Sequence, residues 1–145
     1  EILKAGHLAP TGCNYQPQRI LVLNTDESIS KLKNCTKCHF SAPTAMLVCH
    51  NKEESWVRKY DGALSSSVDA VIVTTYMMLA AQNEGVGTCW VMHFDPAAMR
   101  ESFNIPENVE PVALLVMGYP SDDSKPLDLH HQFRPINEVV FYDKF

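Results

Sequence analysis

The stretch from Leu64 to Trp90, a helical pattern unbroken as far as Gly85 followed by a Trp-bearing segment, is the strongest constraint on the fold. Apolar residues recur at Leu64, Val68, Val71, Ile72, Met78 and Leu79, with Thr75 in the same row, and neither Pro nor Gly intervenes before Gly85. Asp69 is the only ionised side chain between Leu64 and Asn83, so protein is expected to cover both faces of this helix. Gly85 and Gly87 stop it, because Gly accepts the left-handed turn after a helix end. Thr88-Cys89-Trp90-Val91 then resumes in a β-favouring composition. A buried helix thus delivers a Trp-bearing segment, a natural place for a site.

At 145 residues the chain is read as a single domain, residues 1–145, able to bury roughly two thirds of its unfolded surface. The net charge of −5, without clusters of Lys and Arg, argues against nucleic acid or an anionic membrane as partner. The longest apolar run, Val71 to Ala81, is broken by two Thr and is too short to span a bilayer. Five scattered Cys point to reduced thiols and a cytoplasmic setting. The first residue is Glu1, and Ile2 to Leu8 reads as mid-helix without a cap, so further residues are expected upstream.

Ile2, Leu3, Ala5, Leu8 and Ala9 form the apolar face of a short helix ended by Pro10. A polar loop, Pro10-Thr11-Gly12-Cys13-Asn14-Tyr15-Gln16-Pro17, precedes a buried strand from Arg19 to Leu23. Thr25 or Asp26 caps a weak helix through about Lys33. Ala42 to Cys49 reads as a second strand, with Pro43 near its start. Asn51 to Asp61 is charged, holds Trp56 and Tyr60, and reads as a mobile cover. Asp95 caps a helix through about Phe103 with Pro96 in its first turn, and Pro111 to Tyr119 is the most apolar strand. Pro120 to Pro135 reads as a loop and Ile136 to Phe145 as an extended aromatic tail that packs on a partner subunit. The alternation of strands and helices predicts an α+β or α/β domain with one sheet of three to five strands.

Among the short patterns, Cys35-Thr36-Lys37-Cys38-His39 is the sharpest. It could attach a c-type haem, or ligate zinc together with Cys49 and His50, or be a surface turn with incidental thiols. Haem attachment requires an export route that nothing here signals, and the adjacency of Cys49 and His50 is poor zinc spacing. Cys13 and Cys89 lie in loops without a His beside them, and His130-His131 read as solvated. No Walker or dinucleotide glycine loop is present, since Gly85-Val86-Gly87 ends a helix rather than beginning one. The remaining pair of segments, Pro10 to Pro17 and Gly85 to Asp95, offers a hydroxyl, amides, backbone donors and an aromatic ring. Such groups suit a flat polar heteroaromatic ring, although each segment is also readable as a loop that ends a helix.

At these residues the chain resembles the nitroreductase family of FMN-dependent oxidoreductases. Ile2 through Arg19, with Pro10-Thr11-Gly12-Cys13-Asn14-Tyr15-Gln16-Pro17, is similar to the family's first helix and Pro-Ser-x-x-Asn-x-Gln-Pro loop, with Thr11 in place of Ser. The helix bearing Asp69, the Gly87-Thr88-Cys89-Trp90-Val91 segment, Ile105-Pro106 and the strand from Pro111 to Pro120 follow in family order. The resemblance implies an α+β fold, a central mixed or antiparallel sheet flanked by helices, whose extended C-terminal tail is exchanged in a homodimer with FMN at the subunit interface. It implies that Pro10, Thr11, Asn14 and Gln16 contact the flavin, that Trp90, Val91 and Met92 line its ring, and that Arg134 holds the phosphate. It further implies ping-pong hydride transfer from NAD(P)H through flavin N5 to a nitroaromatic, quinone or similar small-molecule acceptor, with no catalytic side chain beyond the flavin itself. Where family members place Glu-Gly near N5 this chain has Met92-His93, so backbone amides are expected to serve there. The family's Arg-Arg-Ser-x-Arg phosphate clamp lies upstream of the first helix, and a fuller native chain is expected to carry it. The alternative is a non-catalytic dimeric relative that binds flavin, or binds metal through Cys35, Cys38 and His39.

Overall fold

Two strands with alternating buried side chains set the architecture. In β2 (Thr44–Asn51), Ala45, Leu47 and Cys49 face one core, while Met46 and Val48 face a second core on the other side of the sheet. That period of two makes β2 a central strand covered on both faces. The computed structural model describes residues 1–145, with β1 (Gln18–Leu23), β2, β4 (Val109–Gly118) and β3 (Gly87–Val91) side by side in that order, every neighbour antiparallel. Between β2 and β4 the pairing steps from Val48–Ala113 to Cys49–Pro111, leaving Val112 as a bulge. Pro111 sits at that bulge, where a strand tolerates a missing amide hydrogen.

Helices α2 (Asp26–Cys35) and α4 (Pro96–Phe103) cover one face through Leu32, Cys35 and Met99. Helices α1 (Ile2–Leu8) and α3 (Ser66–Asn83) cover the other through Ala70, Val73 and Met77. Caps act as the residues dictate. Thr25 and Ser28 form a reciprocal capping box on α2, and Asp95 Oδ1 accepts from the Ala97 and Ala98 amides at 2.9 and 3.1 Å. Gly85, at φ +72°, turns the chain after α3.

Several expectations change. The fold is α+β with four antiparallel strands, within the range expected from sequence. The long helix starts at Ser66, because Leu64 instead bridges Val57. It is also not covered on both faces: Ser66, Asp69, Ala70, Val73, Met77 and Ala81 are buried, whereas Val68, Val71, Tyr76 and Leu79 are exposed. Its low charge therefore marks an apolar outer face that this chain does not cover by itself. In α1 the buried position is Gly6, followed by Ala9 just past the helix end, while Leu3 and Leu8 face out. Gly6 is buried because α1 lies tight on α3; a Cβ there would stand 2.7 Å from Met77 Cγ.

The segment after β2 is not a loose cover: it forms a hydrogen-bonded hairpin rooted at the buried Ser55. The C-terminal tail forms no strand. Every residue from Tyr119 to Phe145 is exposed, and its backbone hydrogen bonds all close within the tail, as in Val140 to Ile136 at 2.9 Å. No helix is long and apolar enough to cross a membrane.

Candidate functional site

Asp69 is the one charge in α3, and it is only 2 % exposed. A buried carboxylate needs partners. Asp69 Oδ1 accepts the Gly12 amide at 2.8 Å, and Oδ2 accepts the Ser65 hydroxyl at 2.7 Å. The helix thereby fixes the loop between α1 and β1. Gly12 is pressed into this anchor; a Cβ there would lie 2.9 Å from Ser65 Oγ and 3.2 Å from Trp56 Cβ.

Beyond the anchor the loop takes an unusual path. Cys13, Asn14 and Gln16 have φ of 46°, 60° and 53°. Left-handed backbone at non-glycine residues is costly and persists where its surroundings enforce it. Here the enforcement comes from Asn14 N to Thr11 O and Tyr15 N to Gly12 O, both 3.0 Å, and from Gln16 N to Thr11 Oγ1 at 3.1 Å. The Gln16 side chain folds back onto Asn14 O at 3.3 Å. The Thr11 hydroxyl hydrogen, the Asn14 side-chain amide and Gln16 Oε1 have no protein partner. Pro10, Asn14 and Gln16 are exposed and Thr11 is half-buried, so the loop presents a rigid set of donors and acceptors to a ligand.

The second predicted segment lies elsewhere. Trp90, half-buried on β3, pairs with Leu115, and Met92 is exposed just beyond the strand. The Val91 side chain is 4 % exposed and packed into the core under α2 and α4, so only its backbone can face a ligand. From there the chain ties to α2: Thr36 Oγ1 donates to His93 O at 2.5 Å and Asp95 N to Cys35 O at 2.8 Å. Since β1 and β3 are opposite edges with β2 and β4 between them, the two strands that these segments adjoin stand about 14 Å apart at the usual strand spacing. One chain does not bring them together. Arg134, on the exposed tail, meets only Glu138, at 3.8 Å.

The cysteine pattern does not converge. Cys35 is buried against Ser102 Oγ and Lys31 O, and His39 Nδ1 accepts from the Ser41 amide at 3.0 Å. No three His, Cys, Asp or Glu side chains, at Cys35, Cys38 and His39 or elsewhere, stand together as a set of metal ligands. Cys49, buried between β1 and α4, has its thiol pushed up to about 12 by desolvation. On the other face of the sheet, Gln18 Oε1 and His50 Nδ1, side by side in register, are buried without a partner, and desolvation lowers the His50 pKa.

Sequence reasoning did not identify the Asp69–Gly12–Ser65 anchor or Trp56 beneath Gly12. A lone acid in an otherwise apolar helix was its signal.

The Nitroreductase family profile matches residues 37–119. The chain belongs to the nitroreductase family. A nitroreductase family protein from Clostridium difficile 630 has 39 % sequence identity and a TM-score of 0.92, covering 99 % of this chain and 84 % of its own. A protein of Archaeoglobus fulgidus, provisionally named as an NADH dehydrogenase/NAD(P)H nitroreductase, is 28 % identical across 93 % of this chain and 79 % of its own length. A structure from Exiguobacterium sibiricum, provisionally described as a nitroreductase in complex with FMN, shares the fold at TM-score 0.82 and 20 % identity, over 98 % of this chain and 84 % of its own. As a nitroreductase family member, the chain is an oxidoreductase.

Proposed function

We propose that this nitroreductase is an FMN-dependent, NAD(P)H-oxidising enzyme, residues 1–145 forming one domain, that works in the cytoplasm as a homodimer with FMN at the subunit interface. The observation that carries this reading is the Asp69-anchored loop. Its three left-handed residues hold Thr11, Asn14 and Gln16 with unpartnered polar groups facing out, a donor and acceptor set that fits the polar edge of a flavin. Pro10 bounds the loop on one side. Arg134, with only a long contact to Glu138, has a guanidinium available for a phosphate. Trp90, Met92 and the Val91 backbone supply a ring face and strand-edge groups.

Separation of the two segments supports the dimer. If both touch one flat ring, they come from two copies, because β2 and β4 separate them within one chain. The exposed apolar stripe of α3 and the exposed tail with Phe133, Ile136, Phe141 and Tyr142 are surfaces that a second copy would cover. Bound FMN would supply two-electron chemistry, taking hydride from NAD(P)H and passing it in ping-pong order to a nitroaromatic, quinone or similar acceptor. The protein's part is to bind the flavin, hold its orientation through the rigid loop, and shield one ring face with Trp90.

An absorption spectrum with added FMN, taken before and after NADH and NADPH without oxygen, tests the reading. Protein-retained flavin that bleaches supports it and identifies the donor. Flavin that passes wholly into the filtrate would sink it for these residues.

A further inference from the structure

Between β2 and α3 a short hairpin stands out from the body. Val57 and Leu64 bridge as an antiparallel pair, the Arg58 amide donates to Ala63 O at 2.8 Å, and the Gly62 amide to Arg58 O at 2.9 Å. Its turn is braced twice. Gly62 takes φ +73°, and the Arg58 guanidinium forks onto Asp61 with Nε to Oδ1 at 2.7 Å and Nη2 to Oδ2 at 2.5 Å. At the tip sits Tyr60, 98 % exposed and without a partner in its own chain.

The base of this hairpin is part of the loop anchor already described. Ser65 N donates to Trp56 O at 3.0 Å, Ser66 N to Ser55 Oγ at 3.0 Å, and Ser65 also holds Asp69. Trp56 lies directly against Gly12. The hairpin and the Gly12 loop therefore keep one fixed relation, and Tyr60, four residue steps from Trp56, lies at most about 13 Å along the chain from it. A side chain presented on a braced turn loses little freedom when it meets a ligand.

We propose that this hairpin is an acceptor-selecting arm, and that Tyr60 stacks on a planar aromatic electron acceptor seated at the Gly12 loop. The proposal rests on the flavin-binding reading of that loop. Tyr60 is a binding residue for the acceptor, and its ring discriminates flat aromatic acceptors from compact inorganic ones. Offset stacking of this kind changes affinity by about two- to tenfold.

Tyr60→Ala and Tyr60→Phe are compared with the unaltered FMN-loaded protein. Equilibrium binding of 4-nitrobenzoate is read by quenching of tryptophan fluorescence without NAD(P)H, and turnover is followed with 4-nitrobenzoate and with ferricyanide. In Tyr60→Ala the nitrobenzoate Kd and KM are expected to rise about two- to tenfold, and the kcat/KM ratio of nitrobenzoate over ferricyanide to fall by the same factor. Tyr60→Phe, which keeps the ring, should restore both. If FMN is retained but the nitrobenzoate Kd is unchanged in Tyr60→Ala, or both acceptors lose equally, the arm proposal is overturned and the flavin reading stands. If the unaltered protein retains no FMN, the flavin reading fails and the arm with it.

Discussion

Asp69 and Gly12, fifty-seven residues apart in sequence, meet in a 2.8 Å hydrogen bond that joins the buried helix to the candidate ligand loop. Removing the carboxylate leaves a Gly12 amide and a Ser65 hydroxyl without their acceptors in a partly buried setting. Asp69→Ala should cost about 2 to 4 kcal/mol of stability in urea unfolding and weaken flavin binding more than its stability loss alone predicts. Asp69→Asn, which keeps one oxygen acceptor, should lose less on both counts. Equal FMN affinity in Asp69→Ala and the unaltered protein would show that the anchor does not prepare the loop.

Gly6 reports on the contact between α1 and α3. Gly6→Ala drives a Cβ to within 2.7 Å of Met77 Cγ and 2.9 Å of Sδ. Met77 is fully buried and flexible, so the core can yield only in part, and a loss of about 1 to 3 kcal/mol is expected. Adding Met77→Leu, which shortens the side chain, should recover some of it. A Gly6→Ala protein with an unchanged Tm would contradict the packing described.

Arg134 is the tail cation proposed for the phosphate. Its loss removes a charge-assisted contact worth about 1.5 to 3 kcal/mol, so Arg134→Ala should raise the FMN Kd by roughly 10- to 150-fold. Riboflavin lacks the phosphate, and its affinity should be the same in both proteins. A parallel loss for riboflavin would assign Arg134 another role.

Cysteine reactivity should follow burial. Iodoacetamide at pH 8 should label exposed Cys13 and Cys89 in the folded protein, and Cys35 and Cys49 only after denaturation, as peptide mass analysis would read. Cys49 also sets an alkaline limit. Its thiol ionises near 12 in the fold and near 9 when unfolded. The neutral form is therefore favoured by folding, and this contribution is complete below the ordinary thiol range. Stability should fall by up to about 1.4 kcal/mol per pH unit as pH rises from 9 toward 12, less steeply in Cys49→Ala.

At the acid end His50 gives the opposite slope. Burial holds its pKa below the usual histidine value. The unfolded chain takes up a proton first, so His50 contributes stability above that ordinary value, and the contribution is lost as pH falls through the lowered one. Glu110, whose pKa is lowered chiefly by the hydrogen bond from Lys52, adds a loss in the same direction below the usual carboxylate range. Denaturant titrations from pH 7 to 4 should show a flatter profile in His50→Gln. Identical profiles would remove His50 as a source.

The elements themselves were legible in the sequence because their signals are local. The α3 periodicity, Gly85 as its stop, Asp95 with Pro96 opening α4, and the apolar runs of β1, β2 and β4 each follow from contacts within a few residues. So did the polar loop from Pro10 to Pro17, through its prolines and its resemblance to a family motif. Tertiary structure alone decided which face of α3 is buried, since both faces are apolar and periodicity does not distinguish them. It alone bonded Asp69 to Gly12, set Trp56 beneath the loop, and left the two candidate ligand segments on opposite edges of one sheet. The reason is range: helix spacing and caps are written over three or four residues, whereas strand order and the partner of a buried charge depend on how distant segments pack.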